Sequence, residues 1–235
     1  MKNLKLDRRM AQLVLLQRIE LANPFLTKLR KTFGRYLFSK IFSKYFINLK
    51  EISKNYSKLM ESELSSILSL LKQNQRILSI GSGLGGLEIA IMKKFNETKI
   101  TFIEKDYISK KIKYGWDDEN REGYNDLSLL KNLIIMNDIP KEQFSIFDYD
   151  KKNFPSNKYN LVISLYSLDY HYDFNIYLEY LKKIQMKIQL LCLIPLDMNI
   201  LIKFLNMFKL LKRTKILFIN QKESHVKCSN ENELY

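Results

Sequence analysis

Cysteine and histidine are scarce in this chain of 235 residues: Cys192, Cys228, His171 and His225 are the full set. Two cysteines cannot build a disulfide framework or a four-cysteine zinc site. With only two histidines beside them, no protein-held transition-metal centre is expected. Free thiols fit a reducing cytoplasm. Long apolar runs are also missing, since no stretch reaches the roughly 18 uncharged apolar residues of a membrane span. Met1 to Arg9 is charged and leads into no apolar h-region, so no secretory leader is expected. Acidic residues are short at one end only. Residues 1–76 carry a net charge of +11, residues 77–184 carry −1, and residues 185–235 carry +4. A basic first third joined to a neutral middle implies two functional parts, although a chain this rich in Lys, Asn and Ile gains basic charge from composition alone.

What is present divides in the same way. Residues 8–22 and 25–72 read as helices. From Phe25 to Leu49 the apolar residues Phe25, Leu26, Leu29, Phe33, Leu37 and Ile41 follow helical spacing, with Lys28, Arg30, Lys31, Arg35, Lys40 and Lys44 between them. Asn23 can cap this helix, Pro24 can start it, and Gly34 weakens it or permits a bend. A basic amphipathic helix suits an anionic membrane surface. The favoured reading is a lid packed over the next domain, with its lysines in solvent. The expected units are residues 1–74 as a basic helical lid or arm, 75–184 as the main α/β domain and 185–235 as the completion of its sheet.

From Gln75 onward short apolar runs alternate with helical segments. Runs at 76–80, 99–103, 143–147, 159–165, 188–196 and 214–219 read as strands, and 87–95 and 175–184 as helices. Such alternation predicts an α/β, doubly wound, mostly parallel sheet covered on both faces. Asp117 to Asn125 reads as a polar surface loop.

The first strand runs into Gly81, Ser82, Gly83, Leu84, Gly85 and Gly86, and a helix follows at once. Glycines there let the chain turn sharply and let a ligand approach bare backbone. No Lys-Ser/Thr pair follows, which excludes a P-loop. Glu104 closes the second strand about 20 residues later, where an acid can accept both ribose hydroxyls. Asp148 closes the third strand and can meet an adenine amino group at the same sheet edge. Three strand ends thus converge on an adenosine ligand.

Over residues 75–184 the chain resembles the class I S-adenosylmethionine-dependent methyltransferases. SIGSGLGG is similar to their first motif, FIEKD to the second and FSIFDYD to the third. KYNLVISLYSLDYHYDF is similar to the strand and loop that carry catalysis. The resemblance implies a Rossmann-like fold and S-adenosyl-L-methionine as cofactor, with S-adenosyl-L-homocysteine as product. It places cofactor contacts at Gly81, Ser82, Gly83, Gly85, Glu104, Lys105, Asp148, Tyr149 and Ser164. One departure stands out: many members carry an acid two residues before the first glycine, where this chain has Ser79. More narrowly, LVISLYSLDYHY with YLEYL beyond it resembles sugar O-methyltransferases of bacterial surface-polysaccharide gene clusters.

Methyl transfer needs alignment of the nucleophile, and a sugar hydroxyl benefits from a base. His171 follows the fourth strand with Asp169 and Asp173 close in sequence, and an imidazole titrates near neutrality. His171 and Asp169 are therefore the candidate catalytic pair, while packing in an aromatic wall is the other role open to His171. Tyr166, Tyr170, Tyr172 and Trp116 are candidate substrate contacts, as stacking platforms for a sugar or walls of the adenosine pocket. No Asn/Asp-Pro-Pro-aromatic loop is present, which with the neutral middle counts against a nucleic-acid methyltransferase. That class remains the rival reading, together with a methyltransferase-like domain of weakened activity.

The resemblance stops at Gln185. Members continue with a polar turn, a strand ending near Asp, a helix and a basic strand. Reading the same codons one base earlier from Gln185 permits NENTIIVFDTIRYEYF and then a basic stretch, which has that pattern. Residues 185–235 are therefore expected to follow a one-base frameshift, with Ile188 to Leu196 as a substitute strand.

Overall fold

The computed structural model describes residues 3–38, 43–108, 125–151, 154–165, 180, 190–194, 215–219 and 226–229. The first helix, α1 (Arg8–Gln17), opens on Asp7, whose carboxylate accepts the Met10 N–H at 2.7 Å. Capping of this kind satisfies a backbone donor that the first turn cannot. A short turn at Ile19–Leu21 ends the segment expected as one helix over 8–22.

The segment expected as helical over 25–72 carries α2 (Pro24–Leu37), α3 (Ser43–Phe46) and α4 (Leu49–Ile67), with a kink inside α2 and an interruption before α4. The cause is local. Gly34 adopts φ 77° and ψ 164°, outside the helical region, and kinks α2. Asn48 then turns extended and caps α4 by accepting the Glu51 N–H at 3.2 Å. Asn23 caps α2 as expected, accepting the Leu26 N–H at 2.9 Å. Along α4 the residues Ile52, Tyr56, Met60, Leu64 and Ile67 recur at helical spacing and are buried.

The sheet comprises β1 (Arg76–Ile80), β2 (Lys99–Glu104), β3 (Phe144–Asp148), β4 (Leu161–Leu165), β5 (Leu190–Ile194), β6 (Lys215–Ile219) and β7 (Val226–Ser229). Their order is β3-β2-β1-β4-β5-β6-β7, parallel throughout except that β7 runs antiparallel to β6. This is a Rossmann-like α/β fold. The chain builds outward from β1 to β3, then returns to lay β4 on the other side of β1. That reversal is a topological switch point, and in open α/β sheets ligands bind in the crevice beyond the carboxyl ends of the strands at such a point.

The helix α5 (Gly86–Lys94) connects β1 to β2, and α6 (Leu127–Met136) precedes β3. Residues 77–80 of β1 and 100–104 of β2 are buried on both faces, as parallel strands under helices should be. Helix α4 lies along α5, and α1 packs against α4 and α6. One continuous apolar cluster joins Leu4, Met10, Val14 and Tyr56 to Ile77, Phe102 and Leu130. The N-terminal helices therefore share the core of the sheet. Among the described residues no helix is long and apolar enough to cross a membrane.

Candidate functional site

The loop after β1 turns by using backbone conformations that favour glycine. Gly81, Gly83 and Gly85 take φ of 69°, 62° and 71°. The Gly81 N–H donates to the Ile103 carbonyl at 3.0 Å and the Gly85 N–H to the Ser82 carbonyl at 3.1 Å. A side chain on Gly85 would press on Leu130 at 2.9 Å and Phe102 at 3.1 Å. The loop is thus bound to the ends of both central strands.

Glu104 is buried at the end of β2 and faces this loop. Its Oε2 accepts the Gly83 N–H at 2.7 Å, and its Oε1 accepts the Lys105 N–H at 2.8 Å. Burial pushes its pKa up to about 8, against the two N–H donors and the Lys105 ammonium, which favour the charged form. Asp148 stands beside Glu104 in register across β2 and β3. One Asp148 oxygen accepts the Asp150 N–H at 3.0 Å, and the other lies 3.5 Å from the Lys151 ammonium. The two acids therefore end adjacent strands at one sheet edge.

Lys105 is buried, with its ammonium 5.5 Å from the centre of the Tyr149 ring. Tyr149 packs in turn on Phe154, whose ring meets Tyr180 at 5.0 Å. Ser164, buried in β4, donates to the Ile80 carbonyl at 2.9 Å and ties β4 to the end of β1. Ser82 is half-buried in the loop. The structure thus gathers Gly81, Ser82, Gly83, Gly85, Glu104 and Ser164 around the crevice, with Lys105, Asp148 and Tyr149 along its β2–β3 side. His171, Asp169, Tyr166, Tyr170, Tyr172 and Trp116 lie outside the described residues, as does the helix expected over 175–184 apart from Tyr180.

Two residues of this site are not legible in the sequence. Gln17, at the last turn of α1, accepts the Leu84 N–H through Oε1 at 3.2 Å. Asn125 donates to the Gly83 carbonyl at 2.7 Å and accepts from the Gln17 amide at 3.4 Å. Asn125 was expected in a surface loop; it is buried instead, because both its amide and its backbone N–H are engaged, the latter by the Tyr107 carbonyl at 3.1 Å. Gly83 and Leu84 are thereby clasped by three segments far apart in the chain. Adjacent-residue patterns carry no signal for such a meeting.

Behind the loop lies a second polar group. Ser79 donates to Glu88 Oε1 at 2.6 Å, and both side chains are buried. A carboxylate from α5 thus stands against the position where the resembled family often has its acid. Burial pushes Glu88 up to about 7, only partly offset by the Ser79 hydroxyl. Nearby, Arg18 pairs with Glu63 at 2.8 Å. Burial also raises Glu63, while Arg18 lowers it, and burial raises the Tyr56 phenol.

No protein-family model and no curated protein matches the chain. Solved structures resemble its fold. A precorrin-6y C5,15-methyltransferase from Geobacter metallireducens GS-15 is 12% identical, over 74% of this chain and 76% of its own, with a TM-score of 0.43. A cyclopropane-fatty-acyl-phospholipid synthase-like protein from Lactobacillus casei ATCC 334 is 15% identical, over 58% of this chain and 48% of its own, with a TM-score of 0.40. Coclaurine N-methyltransferase, solved with N-methylheliamine and SAH, is 9% identical over 57% of this chain, with a TM-score of 0.39; the chain spans 33% of that protein's length.

Proposed function

We propose that the chain is a methyltransferase that uses S-adenosylmethionine, acting on a small molecule through O-methylation of a sugar or glycan precursor. The observation that carries the cofactor assignment is the meeting of a left-handed glycine turn, Glu104 and Asp148 at one edge of a doubly wound sheet. The turn at Gly81 to Gly85 brings main chain to that edge, Glu104 offers acceptors to a ribose diol, and Asp148 offers one to an amino group. The cofactor supplies an electrophilic methyl on sulfur. The protein's part is to fix that methyl against an acceptor oxygen and to exclude water.

In this reading His171 takes the acceptor proton, with Asp169 beside it in sequence, and Tyr166, Tyr170, Tyr172 and Trp116 hold the sugar. In this reading the chain works in the cytoplasm. Calorimetry with S-adenosylmethionine and S-adenosylhomocysteine tests the first step. The native chain should bind both, and Gly83→Val and Glu104→Ala should each weaken binding at least tenfold. Native-like affinity in both variants overturns the site. Methyl transfer to nucleotide sugars and glycan precursors tests the second, and there His171→Ala should lower turnover about 100-fold or more with cofactor affinity held.

A further inference from the structure

Helices α2 and α3 carry exposed aromatic rings, while buried residues stand within α2 and just beyond the end of each helix. Leu26, Phe38 and Ile47 are buried in the common core. Phe25, Phe33, Tyr45 and Phe46 remain 56%, 47%, 69% and 52% exposed. Single exposed apolar residues are ordinary, but four large rings exposed on two successive helices exceed that expectation. Phe25 and Phe46 meet edge to face, with ring centres 5.8 Å apart and planes at 74°. The patch is therefore assembled from both helices.

The segment that carries the rings is strongly basic. Between Phe25 and Lys58 the chain has nine Lys or Arg and a single acid, Glu51. Lys28, Lys31, Lys50 and Lys54 are exposed. A second copy of this chain would press like charges together, which disfavours a self-interface. A surface bearing negative charge over an apolar interior matches both components. The edge-to-face rings form a wedge suited to the boundary between headgroups and acyl chains, rather than the row of open faces on which successive bases stack.

We propose that the Phe25–Phe33–Tyr45–Phe46 patch docks the chain on an anionic lipid surface, with Lys28, Lys31, Lys50 and Lys54 against the headgroups. The inference stands apart from cofactor binding, because the patch and the glycine loop share no residue. Each basic side chain near an anionic surface is worth about fivefold in partitioning, an attraction that salt screens. Inserted rings add a contribution that salt does not remove.

The test uses the full chain and vesicles of phosphatidylcholine, alone or with one third phosphatidylglycerol. Co-flotation is expected with the anionic vesicles at low salt, at least tenfold weaker with the neutral ones, and weaker still as salt rises. Phe25→Ser with Phe46→Ser, and separately Lys28→Glu with Lys31→Glu, should each reduce binding at least tenfold. All four positions are exposed, so unchanged melting curves and unchanged S-adenosylmethionine binding should accompany the loss. Absence of flotation at low salt overturns the proposal, as does native-like flotation of the Phe25→Ser, Phe46→Ser chain. So does a dimer that this double variant dissolves without any vesicle binding, or tighter patch-dependent binding to single-stranded RNA than to vesicles. A chain that fails to float yet binds S-adenosylmethionine loses this proposal and keeps the reading of the crevice.

Discussion

Glu104 holds the glycine loop through the Gly83 N–H and also accepts the Lys105 N–H, yet burial keeps its carboxyl protonated up to about pH 8. The ionised form is the better acceptor for a ribose diol. If Glu104 holds the cofactor, affinity should therefore rise with pH, by up to about tenfold per unit below pH 8, and level off above it. Glu104→Gln cannot ionise, so its affinity should be weaker and flat from pH 6 to 9. Calorimetry across that range checks the prediction, and parallel slopes in the two proteins would remove Glu104 from the ribose. Glu88 makes the companion case for stability. Its folded pKa of about 7 lies above the ordinary 4.5, so the folded chain retains a proton that the unfolded chain has released. Stability must fall as pH rises through that window, by as much as about 3 kcal/mol from this group at pH 8. Glu88 is faced by Ser79, Glu63 and Arg18 and also raises Glu104 and Tyr56, so Glu88→Gln removes its own titration and its push on those two groups. Urea melts at pH 5 and pH 8 should show a smaller loss in that variant than in the native chain.

At the scale of elements, the seating of α4 on α5 depends on one glycine. A Cβ on Gly86 would lie 2.3 Å from the Tyr56 Oη, 2.5 Å from its Cζ and 2.8 Å from the Met60 sulfur. A buried aromatic ring cannot swing aside as a flexible side chain can. Gly86→Ala should therefore cost about 1–3 kcal/mol in chemical denaturation and loosen the start of α5. Hydrogen exchange at residues 86–92 reads that loosening directly. A loss below about 0.5 kcal/mol would mean that α4 shifts without penalty. The glycine run in the sequence predicts a sharp turn, but it does not say that its last glycine serves helix packing. That distinction depends on Tyr56, 30 residues earlier. Local signals did reveal much of the rest. Apolar runs located β1 to β6 within about two residues, and Asn23 located the start of α2. What they missed has a physical reason in each instance. Gly34 permits a bend, but periodicity on either side of it hides the kink in α2. Helix α6 is so uniformly apolar that its period is weak, although Asp126 caps it by accepting the Leu129 N–H at 3.0 Å. The polar segment that forms β7 lacks a strand pattern, and its backbone pairs at the sheet edge beside β6. Gln17 and Asn125 escaped because their roles exist only once α1, the glycine loop and the start of α6 are together.

Over the whole molecule, the order of strands rests on two stretches with different relations to the resembled family. Residues 75–165 supply β1 to β4 and the loop, and their text follows the family's motifs. Beyond Gln185 the text departs from them, yet β5 pairs parallel with β4 from Leu161 opposite Leu190 to Leu165 opposite Ile194. An apolar run such as LLCLI suits a central parallel strand whatever its origin, since burial there rewards hydrophobicity more than sequence detail. The frameshift reading makes a sharper demand. If one base was lost near the codons for Lys183 to Gln185, the side chains of 185–235 were never selected for their neighbours on β4. Strand pairing can survive such a change, but close packing of side chains cannot be expected to. Restoring the base should therefore raise the melting temperature by several degrees and, if the crevice binds S-adenosylmethionine, raise methyl transfer with it. A chain stabilised without any gain in turnover would place the tail in folding alone. The gene sequence decides the premise beforehand: stop codons throughout the alternative frame, or text with no strand, helix and basic strand in that order, would end it.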